Sequence, residues 1–129
     1  RARSENKLRV LVIDDDPTVL QAIRRSAQRE HDVVAVSQGS EALDLLAADR
    51  RFDVILCDLA MPILSGAEVY AAIERDMPEL LPRFAIMTGA APTTRLRECL
   101  APFHGPKLLK PFSLRELSGI FVQVVARAS

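Results

Sequence analysis

Five short apolar runs recur along the chain at near-regular spacing: Val10–Ile13, Val33–Val36, Val54–Cys57, Phe84–Met87, and Leu108–Leu109 with its neighbours. Each run is continuous rather than alternating, which is the pattern of a strand covered on both faces, and the stretches between them carry helical periodicity. Strand alternating with helix implies a parallel sheet. A chain of 129 residues has room for one such domain and its core, not for two.

The intervening stretches carry their own helix signals. Asp16 followed by Pro17 reads as an N-cap with proline at the first helical position, and Val19, Ala22, Ile23, Ser26 and Ala27 share one small or apolar face. A second helix follows Gly39 and Ser40 and buries Ala42, Leu45 and Leu46. The third follows Gly66, sets Val69, Ala72 and Ile73 on one side, and stops before Pro78. A short fourth helix starts near Pro92, is weakly apolar through Leu96, Cys99 and Leu100, and ends before Pro102. The last opens on Ser113 and Glu116 as a capping box and buries Leu114, Leu117, Phe121 and Val125. The expected organisation is a single (βα)5 domain over residues 9–127 behind a polar extension over residues 1–8.

Charge and cysteine usage remove several classes of function. Lys+Arg 17 balances Asp+Glu 17, so no bulk charge draws the chain to nucleic acid or to an anionic membrane. Cys57 and Cys99 are far apart and lack companions at metal-ligand spacing, which leaves no zinc site or disulfide framework and fits a reducing cytoplasm. Cys57 lies within a buried-strand pattern and reads as a core thiol. No apolar run reaches the roughly 18 residues of a membrane span, and the Arg1–Arg9 stretch is too polar for a signal peptide. His31 and His104 have no partner at useful spacing and read as surface or loop residues, while Arg95 and Arg97 read as a solvated face. The first residue is Arg rather than Met, which suggests a piece of a longer polypeptide or equally a processed or tagged chain.

In an open parallel sheet the functional crevice lies beyond the carboxyl ends of the strands. The first strand ends in Asp14, Asp15 and Asp16, the third in Asp58, the fourth in Thr88 and the fifth in Lys110. Two carboxylates roughly 4 Å apart repel by about 4 kcal/mol at an effective dielectric near 20. Either one of them keeps a proton through a raised pKa, or a cation sits among them, and oxygen ligands without His or Cys favour a hard ion such as Mg2+. Lys110 adds a mobile positive charge and Thr88 a hydroxyl, both suited to phosphoryl oxygens. The set reads as a phosphoryl-transfer site with a carboxylate nucleophile. Asp16 suffices as a helix cap and needs no part in it.

The segments "VLVIDDDP", "CDLAMPILSG", "IMTGA" and "LLKPF" resemble, in order and spacing, the receiver domain of two-component response regulators, over about Arg9 to Val125. The resemblance implies a flavodoxin-like, doubly wound sheet with strand order 2-1-3-4-5, and a domain that catalyses its own aspartyl phosphorylation and dephosphorylation. Asp58 then matches the phosphoacceptor that takes a phosphoryl group from the phosphohistidine of a histidine kinase or histidine phosphotransfer domain. Asp15 matches the direct Mg2+ ligand and Asp14 a ligand through water, with Asp58 itself and the Ala60 carbonyl completing the metal's protein shell. Thr88 and Lys110 match the hydroxyl and the lysine that engage the phosphoryl group, and the Lys110–Pro111 bond is expected to be cis. Small residues at Ala60 and Ala90 flank the acyl phosphate.

One departure stands out. The family usually carries an aromatic residue three positions before the lysine, where this chain has Lys107; Phe103 lies near by but out of register. The stretch "ECLAPFHGPKLLKPFSLREL" resembles receivers at the C-terminus of hybrid sensor histidine kinases more than stand-alone regulators. Two other classes compete. Asp14-x-Asp16-x-Thr18 fits the DxDxT motif of haloacid-dehalogenase-type phosphatases but leaves Asp58 unexplained. A non-phosphorylated pseudo-receiver that only binds a protein partner accounts for Lys107 but not for the intact acidic set. No GxGxxG or GxxxxGK occurs, which removes the common nucleotide-binding loops. Nothing in the sequence fixes the oligomeric state.

Overall fold

The computed structural model describes residues 7–61, 63–89, 103 and 105–128. Strands β1 (Arg9–Ile13), β2 (Asp32–Val36), β3 (Val54–Asp58), β4 (Phe84–Thr88) and β5 (Lys107–Leu109) form one sheet in the order β2-β1-β3-β4-β5. Every pairing is parallel. Helices α1 (Pro17–Ala27), α2 (Gly39–Ala48), α3 (Gly66–Asp76) and a C-terminal helix (Leu114–Ala128) surround it. The fold is the expected doubly wound α/β sheet. The helix expected near Pro92, with Arg95, Arg97 and Cys99, lies outside the described residues, as do Pro62, Ala90 and His104.

The apolar runs are continuous because alternate residues feed two cores. Leu11, Ile13, Ile55, Cys57, Phe84 and Ile86 pack with α2 and α3 on one face. Val10, Val12, Val54, Leu56, Ala85 and Met87 pack with α1 and the C-terminal helix on the other. Burying a side chain of this kind is worth about 1.5–3 kcal/mol, so β1 and β3, buried on both sides, hold the sheet together and fix where their last residues stand.

The helix starts follow the caps. Asp16 Oδ1 accepts from Thr18 N at 2.9 Å, with Pro17 opening α1. Ser113 and Glu116 exchange the two bonds of a capping box at 2.9 and 3.1 Å, and Ser65 and Glu68 form a second box that caps α3. A 3-10 turn over Pro78–Arg83, unexpected from the sequence, follows α3.

Three expectations need correction. In the C-terminal helix the buried stripe is Leu117, Ile120, Phe121 and Val124, whereas Leu114 is 56% and Val125 37% exposed. At roughly 100° per residue both fall beside that stripe. On α1, Ala22 is exposed and Leu20 takes its place against the core. Leu45 is half-buried rather than buried. His31 lies in the loop before β2, as expected, where its Nδ1 accepts from Leu8 N at 3.0 Å and its ring meets Phe121 edge-on at 5.4 Å.

The opposite, amino edge of the sheet is closed by charge. The Arg9 guanidinium lies 4.2 Å over the Phe52 ring and donates to Asp49 Oδ2 at 2.8 Å and to the Arg51 carbonyl at 2.9 Å. The arginines around Asp49 hold its carboxyl well below the usual range, through the Arg51 hydrogen bonds first.

Candidate functional site: an acidic pit at the carboxyl edge of the sheet

Parallel pairing brings the strand ends level. Ile13 pairs with Cys57 and Asp58 with Met87, so Asp14, Asp58 and Thr88 emerge side by side. One carboxylate oxygen from each of Asp14, Asp15 and Asp58 lies within 4.8 Å of the others. Asp14 is fully buried and Asp58 only 5% exposed, while Asp15 faces solvent.

Lys110 spans the two buried carboxylates, its Nζ 2.7 Å from Asp14 Oδ2 and 3.1 Å from Asp58 Oδ1. Its own backbone N–H donates to the Thr88 carbonyl at 2.8 Å, which ties the end of β5 to β4 and aims the lysine inward. The Lys110–Pro111 bond is cis. Asp14 is held at both oxygens, because Asp16 N donates to Oδ1 at 2.9 Å. Thr88 is half-buried at the same edge, and Ala60 is exposed two residues beyond Asp58. Asp16 caps α1, as expected.

The pit's electrostatics follow from burial. Desolvation, and then the Asp14 charge, push the Asp58 carboxyl above the ordinary aspartate range, against the pull of Lys110. For Lys110, burial alone would lower the pKa, but the hydrogen bond to Asp14 and the charges of Asp58 and Asp14 outweigh it and hold the ammonium above its usual value. Burial pushes the Cys57 thiol well up, so it is an inert core group. Three carboxylates and no nitrogen or sulfur ligand suit a hard divalent cation, so the donor set fits Mg2+.

Two features of the site escaped the sequence reading. Gly66 lets α3 approach the end of β3: a Cβ there would lie 2.4 Å from the Asp58 carbonyl oxygen and 2.8 Å from Leu59 Cα. Glycine eight residues after Asp58 was visible, but the contact it permits is set by how closely α3 packs. A groove of about 250 Å3 also opens beside Asp15, walled by Ser37 and Gln38 on one side and Met61, Ile63 and Leu64 on the other. At the departure from the family pattern, Lys107 is exposed and its Nζ lies 5.6 Å from the centroid of the Phe103 ring. Phe103 is buried against Tyr70 and Phe84, at 5.3 and 5.9 Å between ring centroids.

Known proteins are similar to this chain in sequence and fold. The two-component response regulator ORR21 of Oryza sativa subsp. indica is 31% identical over 124 residues, covering 93% of this chain and 17% of that protein. Response regulator MprA of Mycolicibacterium vanbaalenii is 36% identical over 114 residues, covering 85% of this chain and 47% of the relative. The chain thus spans less than half the length of these relatives. Among solved structures, a response regulator receiver domain protein from Clostridium thermocellum superimposes with a TM-score of 0.81 at 26% identity, covering 93% of this chain and 95% of that one. The chemotaxis protein CheY4 of Vibrio cholerae gives 0.79 at 26% identity, over 92% and 98%. Residues 10–121 match the response regulator receiver domain as a family. That span runs from the first strand into the C-terminal helix and takes in the whole acidic pit, and the chain belongs to the receiver domains of two-component response regulators.

Proposed function

We propose that residues 9–127 are a phosphoacceptor module in which Asp58 takes a phosphoryl group from the phosphohistidine of a histidine kinase or histidine phosphotransfer domain. One observation carries this reading: Asp58 stands 5% exposed in the pit, bridged to Asp14 by the ammonium of Lys110. An Asp58 carboxylate oxygen forms the new O–P bond as the P–N bond breaks, and the electron pair returns to the imidazole nitrogen, which takes up a proton. Lys110 and the Thr88 hydroxyl stand where the phosphoryl oxygens would arrive and offset their charge. Asp14, Asp15, Asp58 and the Ala60 carbonyl would hold Mg2+, which neutralises phosphoryl charge when bound.

The likeness of segment 98–117 to receivers at the C-terminus of hybrid sensor histidine kinases supports membership of such a polypeptide. Cys57, a free buried thiol, fits a reducing cytoplasm. Acetyl phosphate and intact-protein mass spectrometry test the reading. One labile phosphate adduct should form, only with Mg2+ present, and the Asp58→Asn protein should gain none. An adduct on Asp58→Asn would overturn the assignment.

A further inference from the structure

We propose that the groove between the β2–α2 and β3–α3 loops receives an apolar side chain from a lysine- or arginine-bearing helix of the protein that donates the phosphoryl group, and that Ile63 is the residue selecting it. The proposal rests on the phosphoacceptor reading above and names a contact of the donor away from the reacting atoms.

A lone exposed apolar side chain needs no explanation. Ile63 differs by its place. It is 86% exposed, it lines a groove of about 250 Å3, and Asp15 lines the same groove, so the apolar surface runs straight into the acidic pit. Met61, only 8% exposed, and half-buried Leu64 give the groove an apolar wall. That wall is fixed in advance. A Cβ at Gly39 would come within 2.8 Å of Val69 Cγ2 and 2.9 Å of Leu64 Cδ2, so the start of α2 is packed tightly against the β3–α3 loop and α3. Ile63 is β-branched and stiff about its first torsion, so little rotamer freedom is lost when a partner covers it.

Charge selects the occupant. The chain is neutral overall, and its amino edge mixes arginines with Asp49, Asp76 and Glu79. The border of the groove is acidic among the described residues: Asp15 lines it, and Glu41 and Glu68 stand in the first turns of α2 and α3, the helices that follow its two loops. A partner seated there meets carboxylates around an apolar wall, which favours a helix carrying cations around an apolar anchor. Asp58 lies too deep for a flat surface to reach, so a donor that presents its histidine there must also cover this rim.

The test uses the full 129-residue chain, isotope-labelled, with a synthetic amphipathic helical peptide of leucine and lysine as the probe. Amide shifts should concentrate at Ser37–Ser40 and at Met61, Ile63 and Leu64. Ile63→Ser should weaken binding roughly tenfold, Ile63→Leu should restore most of it, and a leucine–glutamate peptide should fail to bind. Acetyl phosphate should label Asp58 equally fast in wild type and Ile63→Ser. Shifts centred on Leu109, Leu114 and Val122, an affinity indifferent to Ile63→Ser, or equal binding of the glutamate peptide would each overturn the proposal. Self-association of the chain that disappears in Ile63→Ser would put a second copy in the groove and overturn it too. Peptide binding is read without phosphorylation, so failure of acetyl phosphate to label wild-type Asp58 would sink the phosphoacceptor reading by itself.

Discussion

Lys110 Nζ stands between two carboxylates from different strands, 2.7 Å from Asp14 Oδ2 and 3.1 Å from Asp58 Oδ1. The Asp14 and Asp58 side chains are 1% and 7% exposed, and that of Lys110 is 21% exposed. Positive charge at this point is therefore structural as well as chemical, because burial and the Asp14 charge push the Asp58 carboxyl up and Lys110 pulls against them. The lysine supplies that charge from the last strand of the sheet, so the pit forms only when the whole sheet has assembled.

Lys110→Met should destabilise the metal-free protein. Breaking a fully buried pair costs about 3–5 kcal/mol, and the partial exposure of Lys110 lowers the expected loss to about 2 kcal/mol. Mg2+ should recover much of it, since a bound cation again separates the acids. Thermal melts of wild type and variant with and without Mg2+ check this. A melt that ignores both the substitution and the metal would place the lysine outside the pit in solution.

Asp58 should impose opposite pH dependences on chemistry and on stability. Burial, and then the Asp14 charge, raise its folded-state pKa. Only the ionised carboxylate attacks phosphorus, and Mg2+ must displace the carboxyl proton to bind beside it, so at limiting Mg2+ the rate of labelling by acetyl phosphate should climb with pH. The folded protein holds this proton more tightly than the unfolded chain does. Its stabilising contribution is full below the unfolded carboxylate's pKa and is lost as pH rises through the raised folded value. Asp58→Asn should thus be the more stable protein in neutral, metal-free buffer, with the advantage fading in acid. Denaturant melts across that range would reveal the reverse order if Lys110 over-compensates.

The three consecutive aspartates should behave differently from one another. Asp15 is exposed and makes no helix cap, so Asp15→Ala should leave stability within about 0.5 kcal/mol of wild type while sharply weakening Mg2+ binding. Asp16 accepts from Thr18 N at 2.9 Å, so Asp16→Ala should cost about 1 kcal/mol with labelling largely kept. A Mg2+ titration and a thermal melt of each variant separate the two, and the opposite pattern would shift the site's register by one residue.

The strand ends were legible in the sequence because polar residues terminate apolar runs abruptly: Asp14 after Ile13 and Asp58 after Cys57 each follow the last residue a two-sided core can use, while Lys110 follows Leu109, which is exposed on the edge strand. Caps were legible for the same local reason, as at Asp16 and Ser113. What the sequence hid depends on how elements pack. Leu114 and Val125 look like core residues in a helical pattern, yet the stripe facing the sheet is centred between Leu117 and Phe121. His31 gave no sign of its bond to Leu8 N, since the two meet only across the edge of the sheet. Lys110 could be expected in the pit by resemblance, but its shorter contact with Asp14 than with Asp58 is a matter of distances.

Gly66→Ala should damage the site without touching a polar group. The added Cβ would sit 2.4 Å from the Asp58 carbonyl oxygen, a backbone atom that cannot turn aside. Relief requires α3 or the end of β3 to move, at a cost on the order of 3 kcal/mol, and Asp58 moves with its own backbone. Slower labelling by acetyl phosphate together with a lowered melting temperature is the expected pair of results. A destabilised variant that labels at the wild-type rate would show that α3 alone gives way.

The last prediction concerns how far a phosphoryl group on Asp58 is felt. Lys107 occupies the position where related receivers usually carry an aromatic side chain, and it is exposed, because burying an unpaired ammonium costs several kcal/mol. The aromatic space beside Tyr70 and Phe84 is already filled by Phe103, which is 5% exposed. A Cβ at Gly105 would lie 2.5 Å from its Cζ, so the ring is closed in from the β5 side as well. Phe103 has edge-to-face partners in two directions, each contact worth about 0.5–1.5 kcal/mol beyond its buried area. Phosphorylation should then disturb the loops after β3 and β4 and leave β5 and the C-terminal helix nearly unchanged, which suits a phosphoryl relay or sink better than a switch read out at the far face. Amide spectra with and without beryllofluoride decide the matter. Shifts running along β5 and the C-terminal helix, or dimers that form only with beryllofluoride, would mean that this receiver transmits its state without the missing aromatic.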